Sequence, residues 1–157
     1  MRILVMSDCH GAINRVKKAL NEQPDAKDIF YLGDGISEVE NIVHSYPDRS
    51  FHLVHGNCDW NSMLPTTASK TLGGTTVFYT HGHTLFVKRN TDMLLAAAKQ
   101  AEAKIALFGH THCAVIEYKD GIYLVNPGAL SGSRNGPESY AVIDILPNGI
   151  MPIIIKI

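Results

Sequence analysis

The chain has 157 residues, 45% hydrophobic and 18% charged, which suits one domain spanning 1–157 with a core of its own. Its 14 Lys and Arg nearly balance 15 Asp and Glu, so the broad basic face that duplex nucleic acid requires is not expected. No apolar run approaches the roughly 18–20 residues of a membrane span, and MRILVMSD does not read as a secretory leader. Three cysteines without C-x-x-C spacing form no disulfide framework, and a cytoplasmic protein is expected.

In chain order, residues 2–6 read as a buried strand. Residues 12–22 read as a helix with Ile13, Val16 and Leu20 on one stripe, stopped by Pro24. A strand over 28–32, a helix over 36–45 and a strand over 51–55 complete a βαβ rhythm, the mark of a parallel sheet covered by helices. Beyond residue 65 the texture changes. Gly73-Gly74 turns a hairpin between Thr66 and Thr80, a helix covers 91–103, and a strand covers 104–108. Asp120-Gly121 and Asn148-Gly149 predict two further hairpins, making the second half mostly antiparallel. The glycine-rich segment 131–137, SGSRNGP, reads as a mobile loop.

Five polar clusters each follow an apolar run: Asp8-Cys9-His10, Gly33-Asp34, Gly56-Asn57-Cys58-Asp59, His81-Gly82-His83 and Gly109-His110-Thr111-His112. Ligands of open α/β sheets bind beyond the carboxyl ends of the strands, so five such strand ends predict one shared site. Strand alternation would put Asp8 and His10 on the same side. Gly33 lets backbone approach without a Cβ. The set is carboxylate, imidazole and one amide oxygen, which suits hard or borderline divalent ions. Five of the 8 histidines fall in these clusters. Cys9 and Cys113 are expected to point away as buried apolar fillers, and His55 to be a packed strand residue.

The clusters, in this order, resemble the pattern of the calcineurin-like metallophosphoesterase superfamily: D-x-H, G-D, G-N-H-D/E, H and G-H-x-H. The chain is most similar to the small, cap-less phosphodiesterase branch of bacteria and archaea. The likeness runs from MRILVMSDCHG to VNPGALSGSRN. It implies two mixed β-sheets packed as a sandwich with flanking helices, an α/β (by some schemes α+β) domain. It also implies two divalent metal ions, Mn²⁺ foremost, with Fe²⁺, Ni²⁺ or Zn²⁺ as alternatives. Asp8, His10 and His112 would hold the first ion and Asn57, His81 and His110 the second, with Asp34 bridging.

Two such ions carry four positive charges against the two carboxylates, a surplus of about +2 suited to a phosphate ester anion. They would also lower the pKa of a shared water from about 15.7 toward 7, so in-line attack by hydroxide needs no protein nucleophile. The expected activity is hydrolysis of small phosphate diesters. Cys58 departs from the family pattern, which places His there to protonate the leaving alcohol. A thiol beside cations is a poorer acid, so esters with good leaving groups are expected, or another acid. His83 stands either in that role, touching substrate, or behind His81 as an orienting group. Asn57 and Arg134 are further candidate substrate contacts, and Asp59 either steadies the site or caps the next turn. Phosphomonoesterase and nuclease activities are the alternatives within the family. A non-catalytic scaffold like the retromer subunit is the alternative outside catalysis. An uncapped site on a small domain leaves a homodimer or larger assembly open.

Overall fold

The computed structural model describes residues 1–132 and 136–157. Two five-stranded mixed sheets pack face to face. The first runs in the order β10-β9-β1-β2-β3, with β1 (Arg2–Met6), β2 (Asp28–Tyr31), β3 (Ser50–Leu53), β9 (Ser139–Leu146) and β10 (Gly149–Lys156). The second runs β4-β5-β6-β8-β7, with β4 (Thr67–Leu72), β5 (Thr75–Thr80), β6 (Ile105–Leu107), β7 (Val115–Lys119) and β8 (Ile122–Asn126). This is the expected sandwich.

Period-two alternation decides what each strand faces. In β1, Ile3 and Val5 join Phe30, Leu107, Val125 and Ile143 between the sheets. Leu4 and Met6 turn the other way, onto Val16 and Leu20 of α1 (Ile13–Glu22) and Val39 of α2 (Ile36–Val43). Both faces of the strand are covered, which is why ILVM is continuously apolar. Each such side chain contributes about 1.5–3 kcal/mol. The outer face of the second sheet is closed by Leu94, Leu95 and Ala98 of α3 (Asp92–Gln100) against Phe78, Ala106 and Leu124.

The three expected hairpins form, β4–β5, β7–β8 and β9–β10. The second half is nevertheless not simply antiparallel. Helix α3 carries the chain from β5 back to a parallel β6, and β6 pairs in parallel with β8 rather than with β7. The reason is burial: β6 and β8 are apolar enough for the sheet interior, whereas Val115–Tyr118 of β7 are exposed and belong on the edge. Helices α2 and α3 are also shorter than expected, ending at Val43 and Gln100.

Candidate metal centre

All five clusters meet at one end of the sandwich, although not by strand alternation. β1 ends at Met6, and Asp8 and His10 lie in a loop with left-handed backbone, φ 55° and 41°. Two hydrogen bonds place them instead: Asp8 N–H donates to the Gly33 carbonyl at 3.0 Å and His10 N–H to the Asp34 carbonyl at 3.3 Å. Asp34, His110 and His112 share this conformation, so five of the eight non-glycine residues with positive φ among the described residues are predicted ligands. Such conformations cost of order 1–3 kcal/mol and persist at functional sites where the surroundings over-determine them.

The loops approach so closely that two positions admit only glycine. A Cβ on Gly33 would lie 2.5 Å from the Gly56 nitrogen, and one on Gly56 would lie 2.1 Å from Oδ1 of Asp34.

Asp8 is fully buried. Its Oδ2 accepts hydrogen bonds from the Ser7 hydroxyl and, at 3.1 Å, the His110 N–H. Its Oδ1 has no well-aligned donor and faces Nε2 of His112 at 3.1 Å and Nε2 of His10 at 3.9 Å. Burial opposes ionisation of Asp8, yet His112, His81 and the Ser7 hydroxyl outweigh it and hold its carboxyl below the ordinary value. Asp34, equally secluded, turns Oδ2 toward both halves of the site. His10 Nε2 stands at 3.7 Å and His81 Nε2 at 3.5 Å, while Oδ1 accepts the Cys58 N–H at 2.8 Å.

His81 is fully buried, and its Nδ1 lies 2.7 Å from the Leu32 carbonyl. A carbonyl can only accept, so Nδ1 carries a proton, and Nε2, which faces Asp34 Oδ2 and, at 3.2 Å, Asn57 Oδ1, is the nitrogen that would offer its lone pair to an ion held among them. The His110 ring stacks edge-on against His81 at 5.0 Å. Burial, helped by His81 and Lys88, lowers the His110 pKa to about 4, so its imidazole is neutral and able to ligate at neutral pH. His112 is shifted the other way by its contact with Asp8. A buried carboxylate oxygen facing two ring nitrogens, beside a second carboxylate shared with a third, is a donor set that fits divalent cations.

The cluster also takes in Cys58. Its sulfur joins His10 and Asp34 in one potential ligand group and accepts a hydrogen bond from Asn57 Nδ2 at 3.3 Å. Burial and the Asp34 charge push its thiol up to about 11, the opposite of what neighbouring cations would do. His83 lies 5.4 Å from His81 and 6.2 Å from His110 between ring centroids. Its buried Nδ1 has no hydrogen-bond partner among the described residues, and burial, with His81 and His55, lowers its pKa. Arg134 lies outside the described residues.

Several supports were not legible in the sequence. Asp59 does more than cap its own turn. It accepts the N–H groups of Asp34, Gly56, Gly35 and Ile36 at 2.7–3.0 Å, so one carboxylate caps α2 and ties two ligand loops together. Tyr31 accepts the Cys9 N–H and donates to the Asp34 carbonyl, each at 3.1 Å. Asn126 holds the fifth loop by donating to the Gly109 carbonyl at 2.9 Å and to Thr111 Oγ1 at 3.0 Å. Asn126 opens the N-P-G stretch, which was the available signal. His55 is half-buried with its ring 5.9 Å from His83, beside the site rather than packed in a strand. Cys9 is the buried filler expected, but Cys113 is half-buried in a loop, since β6 ends at Leu107 and β7 begins at Val115.

Two sheets delivering this set of carboxylates and imidazoles from their loops define a metallophosphoesterase. The calcineurin-like phosphoesterase superfamily domain matches residues 1–147, and the chain belongs to that superfamily. It is a metal-dependent phosphoesterase. Among its relatives, phosphodiesterase YfcE of Escherichia coli K12 is 30% identical over 168 residues, covering 92% of this chain and 88% of that protein. A predicted phosphoesterase of Streptococcus pneumoniae TIGR4, solved as a crystal structure, superposes with a TM-score of 0.84 at 28% identity, covering 99% of this chain and 88% of that one. Vacuolar protein sorting-associated protein 29 of Schizosaccharomyces pombe is 36% identical over 109 residues, 68% of this chain and 57% of that protein.

Proposed function

We propose that this chain is a dinuclear phosphodiesterase acting on small phosphate diesters, with Asp8, His10 and His112 holding one ion, Asn57, His81 and His110 the other, and Asp34 serving both. The observation that carries this reading is the position of Asp34 Oδ2, which has His10 Nε2 and His81 Nε2, one from each proposed ligand set, both under 4 Å away. When bound, the two ions supply the positive charge that accepts a phosphodiester anion and the activation of water at neutral pH.

The chain's own groups do the rest. His81, locked by Leu32, and His110, neutral at pH 7, keep their lone pairs available. Asn57 is exposed at the mouth of the site, where its amide can also meet a phosphoryl oxygen. No basic side chain is needed for charge, since the surplus comes from the ions. His83, whose ring lies among those of His81, His110 and His55 and whose buried Nδ1 has no hydrogen-bond partner among the described residues, is the group to donate a proton to the departing alkoxide. Its lowered pKa leaves a small protonated fraction at neutral pH, which favours esters with good leaving groups. Mn²⁺ is the ion we expect in the cell, in a cytoplasmic protein.

The test is hydrolysis of bis(p-nitrophenyl) phosphate by purified protein with Mn²⁺ added and after chelation. Turnover that appears with the metal and vanishes with the chelator supports the reading. Absence of metal-dependent turnover overturns it and leaves the scaffold role of the Vps29 type.

A further inference from the structure

The site opens sideways into a groove of about 590 Å³. Its inner wall is His10 and Cys58, both members of the metal cluster, and its outer wall is Glu38 and Glu40 of α2 with Trp60 on the following loop. A smaller recess of about 340 Å³ lies on the histidine flank, lined by His55, Asn57 and His83, and Trp60 borders both. A diester has two alcohol arms, and two recesses of unlike character flank the place where its phosphoryl group would sit.

The larger groove has a distinct chemistry. Among the described residues no lysine or arginine lines it, whereas three carboxylates do. Asp59 is already saturated by four backbone N–H groups, and Oε2 of Glu38 accepts the Ser37 hydroxyl at 2.8 Å, so Glu40 and the other oxygen of Glu38 are what the acids offer a ligand. Trp60 is 89% exposed, an indole face held in water beside those carboxylates. A face of that kind attracts an organic cation, and a polyanionic arm would be repelled. The neighbouring metal centre has the opposite sign. A cationic centre beside an acidic, aromatic groove is the electrostatic complement of a zwitterion. We infer that the groove is a subsite for an ammonium-bearing alcohol arm, so that amino-alcohol phosphodiesters are the preferred substrate class. This rests on the phosphodiesterase reading above.

The chemistry is ordinary ester hydrolysis. The P–O bond to the departing alcohol breaks, a P–O bond to the water oxygen forms, and the departing oxygen takes up a proton. The subsite alters only which diester is held.

The experiment compares p-nitrophenyl phosphorylcholine with p-nitrophenyl 3,3-dimethylbutyl phosphate, in which carbon replaces the quaternary nitrogen at nearly constant shape. Ionic strength is matched. The expected kcat/KM ratio is about fivefold or more in favour of the cation, falling toward one in the double variant Glu38→Gln, Glu40→Gln and in Trp60→Leu. A ratio of one or below in the unmodified protein overturns the subsite. If neither ester is cleaved with Mn²⁺ present, the phosphodiesterase reading fails on its own account, and a binding measurement then decides the groove. Trp60 is the single tryptophan of the chain, so its fluorescence reports occupancy directly. Saturable quenching by choline, with none from 3,3-dimethylbutanol, supports the subsite, while an equal response or none overturns it.

Discussion

Asp59 accepts the backbone N–H of Asp34 at 2.7 Å, so the carboxylate proposed to serve both ions is positioned by another carboxylate 25 residues further along the chain. Three more N–H groups share the same acceptor. Asp59→Ala would strand four donors that loop geometry holds in place. The expected cost is about 2–4 kcal/mol, because unmade bonds to charged acceptors are the expensive kind. Asp59→Asn is expected to fare little better, since each carboxylate oxygen takes two of the four N–H groups and an amide NH2 in place of one sets two contacts donor against donor. Urea titration reads the effect as a lower midpoint at unchanged slope. An unchanged midpoint in Asp59→Ala would show that water replaces the carboxylate and that the loops hold themselves.

That carboxylate illustrates what the chain discloses and what it withholds. The candidate ligands could be picked out because metal chemistry admits few side chains, and because apolar runs such as ILVM and IALF mark where buried strands stop. How the ligands reach one another was not. Alternation suggested that Asp8 and His10 share a side of a strand, yet both sit in left-handed loop backbone fixed by carbonyls of residues 33 and 34. Asp59, Tyr31 and Asn126 each make a bond to backbone 17–25 residues away in sequence, where no periodicity points. The hairpins were readable from their Gly-containing turns. The parallel pairing of β6 with β8 was not, because it depends on how β7 is consigned to the edge by its exposed side chains. Arg134 lies outside the described residues, and its role rests on the sequence alone.

The Cys58 thiol gives a prediction with a definite sign. In the metal-free protein, burial and the Asp34 carboxylate raise its pKa to about 11. At pH 8 it is then protonated and slow toward alkylation, although exposed. In a Cys113→Ser background, with Cys9 buried, the iodoacetamide rate is expected to climb about tenfold per pH unit through pH 10, without the plateau of an ordinary thiol near about 8.5. A plateau at the ordinary value would mean that Asp34 does not act on the sulfur. Adding Mn²⁺ is expected to move the profile toward lower pH, because cations favour the thiolate.

The Arg2–Asp144 pair ties β1 to β9 through two hydrogen bonds of 2.8 Å. The Arg2 guanidinium holds the Asp144 carboxyl below its ordinary value. A carboxyl whose pKa is lower folded than unfolded stabilises the fold above the unfolded value, about 3.9, and the contribution fades as pH falls through the folded value. The pair is partly exposed, with side-chain accessibilities of 37% and 16%, so about 0.5–1 kcal/mol is expected. Urea midpoints of the parent protein and Asp144→Asn should differ by that amount at pH 6 and converge below about pH 4. A gap that persists at pH 3 would mean the aspartate contributes through packing rather than charge.

The strongest demand falls on Asp34, because the proposed centre gives it work that no neighbour duplicates. His10 and His81 approach its Oδ2 from opposite halves of the site, and the negative charge there offsets part of the four positive charges of two divalent ions. Asp34→Asn keeps the shape and removes the charge. It is expected to lower metal-dependent hydrolysis of bis(p-nitrophenyl) phosphate at least about 100-fold, beyond the range seen when only an outer partner of a ligand is lost. Cys58→Ala removes a group outside the proposed ligand set, and is expected to cost far less. Elemental analysis separates binding from chemistry. Two ions per chain in the parent protein and fewer in Asp34→Asn would place the loss in metal retention. Equal activity losses in the two variants, or full metal content in Asp34→Asn, would contradict its assignment as the shared ligand.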